Sequence, residues 1–387
     1  KMGMRANASF EGGGVKAIGM LGALYEAERR GYNWVNLAGT SAGAIIASLV
    51  AAGYTAEEIK EMVWQLDFTL FKDKDWLDRI PFVGLALSLW FENGLYEGDY
   101  LEGWVREKLS AKGIHTFKDL VLEEFKDDPV CRYKLVVTAT DVNRRKLLRL
   151  PYDLREYNLN PDHMDVCKAV RMSASLPFFY EPCRLPFVNA NGERILNYII
   201  DGGVLSNFPV WIFDSEKIPE WPTFGFKIVE PDEYFSSKPH NPFTLFTAIL
   251  STILEARDRI HELDPKSRVR TISIPSLGIK TTDFETINKK KEELFQAGIA
   301  AATAFFEGWD FDSFKANFCG EKSCLKTAPD LLEPLYTGSP SQQRFILKPE
   351  VTAPGKAGPG QKPATPTGSW NRLSMSKINV GFQYREQ

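Results

Sequence analysis

Ala6-Asn7-Ala8-Ser9-Phe10-Glu11-Gly12-Gly13-Gly14-Val15-Lys16 and, from position 34, Trp34-Val35-Asn36-Leu37-Ala38-Gly39-Thr40-Ser41-Ala42-Gly43 set the architecture of this chain. Ala6 to Phe10 reads as a short strand and Glu11 to Gly14 as a turn. Lys16 to Arg30 reads as a helix with Leu21, Leu24 and Tyr25 on its apolar side, stopped by Gly31. Trp34 to Ala38 is a second strand, Gly39 to Gly43 a second tight turn, and a small apolar helix follows to about Ala52. Thr55-Ala56-Glu57-Glu58 has capping-box spacing and opens the next helix. Strand, helix, strand, helix within one short stretch predicts an α/β fold whose central sheet is mainly parallel, with right-handed crossovers.

Outward from this unit, Lys134 to Thr140 and Ile195 to Ile200 read as buried strands, and Asn191-Gly192 as a hairpin turn after Pro186 to Val188. Phe243 to Ile260 and Asn288 to Phe306 read as helices, with Lys289-Lys290-Lys291 on a solvated face. A catalytic domain is expected over 4–308, with Met4 as its natural start, and an extension of unassigned role over 309–348. Residues 349–368 hold Pro349, Pro354, Pro359, Pro363 and Pro366 and read as a linker. In the tail, 369–387, Ile378, Val380, Phe382 and Tyr384 alternate as in a strand.

Composition narrows the function. The 387 residues are 44% hydrophobic, enough for a globular core. Lys+Arg 47 against Asp+Glu 50 gives a net charge of −3, so no global field recruits nucleic acid. The five cysteines are odd in number and widely spread, which argues for a reducing compartment and against a disulfide scaffold. Cys319 and Cys324 could make one bridge or half of a metal site, but no second ligand pair follows, so no metal is expected there; no cofactor is expected either. The longest apolar run, Ile80 to Phe91, falls short of the ~18 residues of a membrane span. These features predict a cytoplasmic protein, peripheral at most to a membrane.

Three segments carry chemistry. Gly12-Gly13-Gly14-Val15-Lys16 places bare N–H groups at a helix start, a site for an anion. A dinucleotide fingerprint would need an acidic residue at the end of the second strand, where Leu37-Ala38-Gly39 stands instead. Gly39-Thr40-Ser41-Ala42-Gly43 is a G-x-S-x-G turn that projects a serine hydroxyl, with the Ala42 N–H as a natural donor to an oxyanion. In a right-handed βαβ unit both loops emerge at the same sheet edge, which sets the glycine N–H groups beside Ser41. Asp201-Gly202-Gly203 follows the apolar strand Tyr198-Ile199-Ile200 and supplies the better base candidate, since His115, His163, His240 and His261 lie in no motif. A carboxylate of pKa ~3.9 serves a hydroxyl only when burial raises it.

These features, in this order, resemble the patatin-like phospholipase family. Met172-Ser173-Ala174-Ser175-Leu176-Pro177-Phe178 resembles the family segment ahead of the Asp-Gly-Gly. Gly94-Leu95-Tyr96-Glu97-Gly98, with Leu101 and Trp104, and Lys280-Thr281-Thr282-Asp283-Phe284 are similar to its bacterial members. The resemblance spans about residues 5 to 308 and implies a three-layer α/β/α fold with a Ser–Asp dyad. By motif position it makes Ser41 the nucleophile, Asp201 the base, and Gly13 and Gly14 oxyanion donors, with no metal. The family loop often ends in arginine and glycine where Lys16 and Ala17 stand here, and lysine lacks arginine's bidentate fork.

The expected activity is a phospholipase A or lysophospholipase that cleaves carboxylic esters through an acyl-serine. The expected partner is a phospholipid or other acyl lipid, met by transient contact with a membrane surface; a protein activator is left open. Ile80 to Phe91 is read either as a cap or interfacial surface or as a core helix, and Phe178 and Phe179 as acyl-channel lining or core filler. Two other readings stand beside it: a histidine-dependent hydrolase using His240 or His261, and a non-enzymatic scaffold.

Overall fold

A strand that is central in a parallel sheet must be apolar or small on both faces. Ala-Asn-Ala-Ser-Phe meets that condition, and β1 (Met4–Phe10) is buried from Ala6 to Phe10. The computed structural model describes residues 3–66, 98–177, 180–188, 191–215, 217–230, 264–279 and 284–319. The Ile80 to Phe91 segment, the Phe243 to Ile260 helix, Phe178, Phe179, His240, His261 and the tail from 320 on lie outside the described residues.

After β1 come a 3-10 turn (Gly14–Lys16), α1 (Ala17–Arg29), β2 (Tyr32–Gly39), α2 (Ala42–Ala51) and α3 (Ala56–Gln65). Gly31 stops α1 with φ +92°. The Thr55 hydroxyl accepts the Glu58 N–H at 3.2 Å while the Glu58 carboxylate accepts the Thr55 N–H at 2.8 Å, the expected capping box. Farther along are α4 (Asp99–Ala111), β3 (Leu135–Asp141), β4 (Lys146–Leu150), α5 (Val166–Ser173), β5 (Cys183–Val188), β6 (Arg194–Asp201) and β7 (Thr223–Val229). Then follow α6 (Pro265–Val269), β8 (Thr271–Pro275), α7 (Phe284–Gly308) and α8 (Phe311–Phe318).

The strands form one sheet in the order β5-β6-β3-β2-β1-β7-β8, with β4 also paired to β3. Pairing is parallel from β3 through β8 and antiparallel among β3, β4, β5 and β6. Helical segments flank the sheet on both sides, so the α/β expectation holds. The larger core joins Phe10, Leu37, Val137, Phe224 and Phe226 to the apolar sides of α1, α2, α5 and α7. On the opposite face Ala38 and Val136 pack against Ile212 and Phe213. Lys291 departs from its solvated reading: its ammonium donates to the Trp64 and Leu66 carbonyls at 3.2 Å, at the end of α3 where a cation suits the helix dipole. Beyond residue 308, α8 returns an aromatic side chain to the core, Phe314 lying 5.5 Å from Trp309.

The order of pairings on β3 positions the functional residues. Val137 pairs with Gly39 of β2 on one edge and with Leu150 of β4 on the other. Ala139, Thr140 and Asp141 pair with both β4 and β6, so β6 shares the edge used by β2. Since β2 runs parallel to β3 and β6 antiparallel, their carboxyl ends converge. Gly39 lies opposite Val137 and Asp201 opposite Ala139, about 7 Å apart along the strand.

Candidate functional site

Ser41 follows Gly39-Thr40 at the mouth of α2 and holds φ 54°, ψ −125°. A non-glycine residue there is strained by about 1–3 kcal/mol, which the surroundings must over-determine. They do so through the backbone. The Ser41 N–H donates to the Ser173 hydroxyl of α5 at 2.9 Å, and its carbonyl accepts the Ala44 N–H at 2.9 Å. Thr40 is fixed beside it, its hydroxyl 2.6 Å from that of Thr138 and its N–H donating to the Phe10 carbonyl at 3.2 Å.

Asp201 ends β6 and is buried. Its Oδ1 accepts the Gly203 N–H at 2.8 Å, and its own N–H donates to the Ser175 carbonyl at 2.9 Å. Burial pushes its pKa up to about 6, against the opposing pull of the Ser41 hydroxyl and the Gly203 N–H. The Ser41 hydroxyl is thus near enough to favour the carboxylate, yet no hydrogen bond of ordinary geometry joins them, and Oδ2 is buried without a partner.

The glycine loop adjoins this pair: a Cβ on Gly12 would stand 3.2 Å from the Ser41 Cβ. The Gly12 N–H is spent on the Asn207 carbonyl at 3.0 Å, whereas the N–H groups of Gly13, Gly14 and Ala42 donate to no other described residue. All three belong to the first turns of helical segments, where N–H groups lack intrahelical acceptors. Gly14 takes φ +53°, a conformation that favours glycine. Gly43 and Gly202 permit close approach, Gly43 to the Phe10 and Glu11 carbonyls and Gly202 to Thr138. Lys16 is structural in this geometry: its ammonium pairs with Glu230 at 2.6 Å, and Glu230 in turn accepts the Ser276 hydroxyl at 3.0 Å.

The structure therefore brings Ser41, Asp201 and the glycine loop together. It adds residues to which sequence reasoning gave no role. Asn207, in the loop after Asp201, donates its amide to the Gly12 carbonyl at 3.0 Å and so ties the Asp201 loop to the glycine loop. Glu11, buried at the base of that loop, accepts the Ile228 N–H at 2.6 Å. Ser173 and Ser175, two positions apart on one turn, hold the backbones of Ser41 and Asp201 respectively. Ser173→Ala is expected to cost about 1 kcal/mol in chemical denaturation, because it strands a part-buried N–H. Unchanged stability would mean that the Ser41 amide has found another acceptor.

A strained serine, an adjacent buried carboxylate with a raised pKa and unused N–H groups together form an arrangement suited to acyl transfer. The sequence pattern of the patatin-like phospholipases matches residues 8–214. YqhO of Bacillus subtilis (strain 168) is 34% identical over 313 residues, covering 80% of this chain and all of that protein. The probable lipid hydrolase 463L of Invertebrate iridescent virus 6 is 29% identical over 205 residues, 52% of this chain and 60% of that one. Among solved structures, VipD from Legionella pneumophila is 19% identical, with a TM-score of 0.43 over 81% of this chain and 67% of that chain. The chain belongs to the patatin-like phospholipase family, and lipid acyl hydrolysis is its class of activity. No helix among the described residues is long and apolar enough to cross a membrane.

Proposed function

We propose that this protein hydrolyses carboxylic esters of membrane phospholipids or lysophospholipids by a Ser41–Asp201 dyad. Asp201 takes the Ser41 proton as Oγ attacks the ester carbonyl. The tetrahedral oxyanion forms between the Gly13, Gly14 and Ala42 N–H groups, which have no competing acceptor among the described residues. The alcohol leaves with the proton from Asp201, and an acyl-Ser41 ester remains. Water, deprotonated by the same carboxylate, then attacks the acyl carbonyl, and Asp201 returns the proton to Ser41 Oγ as the fatty acid leaves.

The observation that carries this reading is the carboxylate itself. Burial lifts Asp201 to about 6, into the range where it is ionised at neutral pH yet basic enough to assist a hydroxyl. Its unpartnered Oδ2 supplies the acceptor. The test is covalent: a fluorophosphonate probe should label Ser41, located by peptide mass spectrometry, and Ser41→Ala should remove both the label and ester hydrolysis. Labelling at another serine, or hydrolysis retained by Ser41→Ala, would overturn the assignment.

A further inference from the structure

The outer part of the sheet, where β5, β6 and the end of β3 lie side by side, has one buried face and one open face. Leu185, Asn197 and Ile199 are buried. By the two-residue period the intervening side chains point the other way. Register then sets Arg184 beside Tyr198 and Pro186 beside Leu196. Val142, whose N–H donates to the Tyr198 carbonyl at 3.0 Å, lies on the far side of Tyr198.

A solvated face of an antiparallel sheet normally reads polar. This one does not: Val142 is 48% exposed, Leu196 44% and Tyr198 40%. They are three of the nine large apolar side chains exposed among the described residues, gathered on neighbouring strands. Arginines frame them. Arg184 and Arg194 occupy outward positions on the same face, and Arg145 follows Val142 in the β3–β4 turn. All three are exposed and form no ion pair among the described residues, while neighbouring Lys146 is paired with Glu156 and Arg144 lies over Tyr157 and Phe187. The exposed carboxylates Glu181 and Glu193 stand against these three cations, on a chain whose net charge is −3.

We infer that the open face of the β5–β6 hairpin, with Val142, Leu196 and Tyr198 framed by Arg145, Arg184 and Arg194, is the docking surface for an anionic lipid bilayer. The apolar side chains enter the interfacial layer, where a tyrosine ring is at home, and the guanidinium groups meet lipid phosphates. The inference rests on the lipid-hydrolase reading, since that substrate resides in a bilayer. It also gives β6 a second role: Asp201 lies three residues beyond Tyr198, about 10 Å along the strand and, by the same period, on its buried face, so docking sets the lipid surface against the strand that carries the proposed base.

The test separates binding from chemistry. Vesicle sedimentation is run in the Ser41→Ala background, with phosphatidylcholine alone and with phosphatidylcholine containing phosphatidylglycerol. Binding is expected to the anionic vesicles, and Leu196→Glu with Tyr198→Glu should weaken it at least about tenfold. Arg145→Glu and Arg184→Glu should each weaken it about fivefold or more, an effect that shrinks in high salt. In the Ser41 background the same substitutions should leave hydrolysis of a soluble short-chain ester within about twofold, which also reports an intact fold. Undiminished vesicle binding by the double variant would overturn the inference, as would absent binding of the parent to anionic vesicles. Loss of self-association in gel filtration with vesicle binding unchanged would assign the face to a second copy instead. Absent ester hydrolysis would count against the proposed function, leaving the binding result to be read separately.

Discussion

Asp201→Asn is expected to lower kcat/KM by about 10²–10⁴-fold, the usual contribution of a general base, and to raise the melting temperature at pH 8. The amide keeps the size of the side chain and an oxygen for the Gly203 N–H, but it cannot take a proton from Ser41. The stability gain follows from the raised pKa. Burial lifts Asp201 from 3.8 to about 6, so the folded protein binds this proton more tightly than the unfolded chain does. The group's favourable contribution is complete below 3.8 and is lost as pH rises through about 6. Above that window the folded state carries a buried charge at a cost of roughly 3 kcal/mol. Asparagine has no such titration, so the gap between the variant and wild type should be open at pH 8 and should narrow as pH falls from 6 towards 4. A gap independent of pH would show that the carboxylate is not held at a raised pKa. Wild-type kcat/KM carries the complementary signature, falling about tenfold per pH unit below about 6 as the base becomes protonated.

The first half of this site was legible because its parts are close in sequence. A strand, three glycines, a helix, a strand and G-x-S-x-G fix a right-handed βαβ unit, and the parallel register of β1 with β2 follows from topology alone. The second half was legible only as a motif. The sequence marks Asp201 as the end of an apolar strand, but not that this strand runs antiparallel into the edge of β3 and meets β2 end to end. That arrangement depends on pairings between residues 58 or more positions apart along the chain, which local periodicity does not encode. The clamps were hidden for another reason. Ser173 and Asn207 act through a hydroxyl and an amide on backbone groups, and such residues look alike in sequence whether they face solvent or a strained turn. Lys16 shows the converse: its charge stands out in the sequence, yet Glu230, more than 200 positions away, absorbs it.

Gly43→Ala is expected to be a severely damaging single-methyl change in the site, lowering stability by about 3 kcal/mol or more and slowing fluorophosphonate labelling of the folded protein by about 10²-fold. A Cβ at this position would stand 2.4 Å from the Glu11 carbonyl oxygen and 2.5 Å from that of Phe10. Both belong to the backbone where β1 gives way to the glycine loop, so no rotamer change relieves the clash and the first turn of α2 must retreat. Ser41 retreats with it, since its carbonyl accepts the Ala44 N–H of that turn. Ser41, the proposed nucleophile, then separates from the Gly13 and Gly14 N–H groups, and a misplacement of about 1 Å is enough for the rate loss. Gly13→Ala is the matched control. Its nearest neighbour would be Ile228 at 3.5 Å, an ordinary van der Waals contact, and its φ of −155° lies outside the left-handed region. Gly13→Ala should keep wild-type stability in urea while Gly43→Ala does not. Equal stability of the two variants would mean that α2 yields to β1 without strain, and that the serine turn is held by its hydrogen bonds to α5 instead of by packing against the glycine loop.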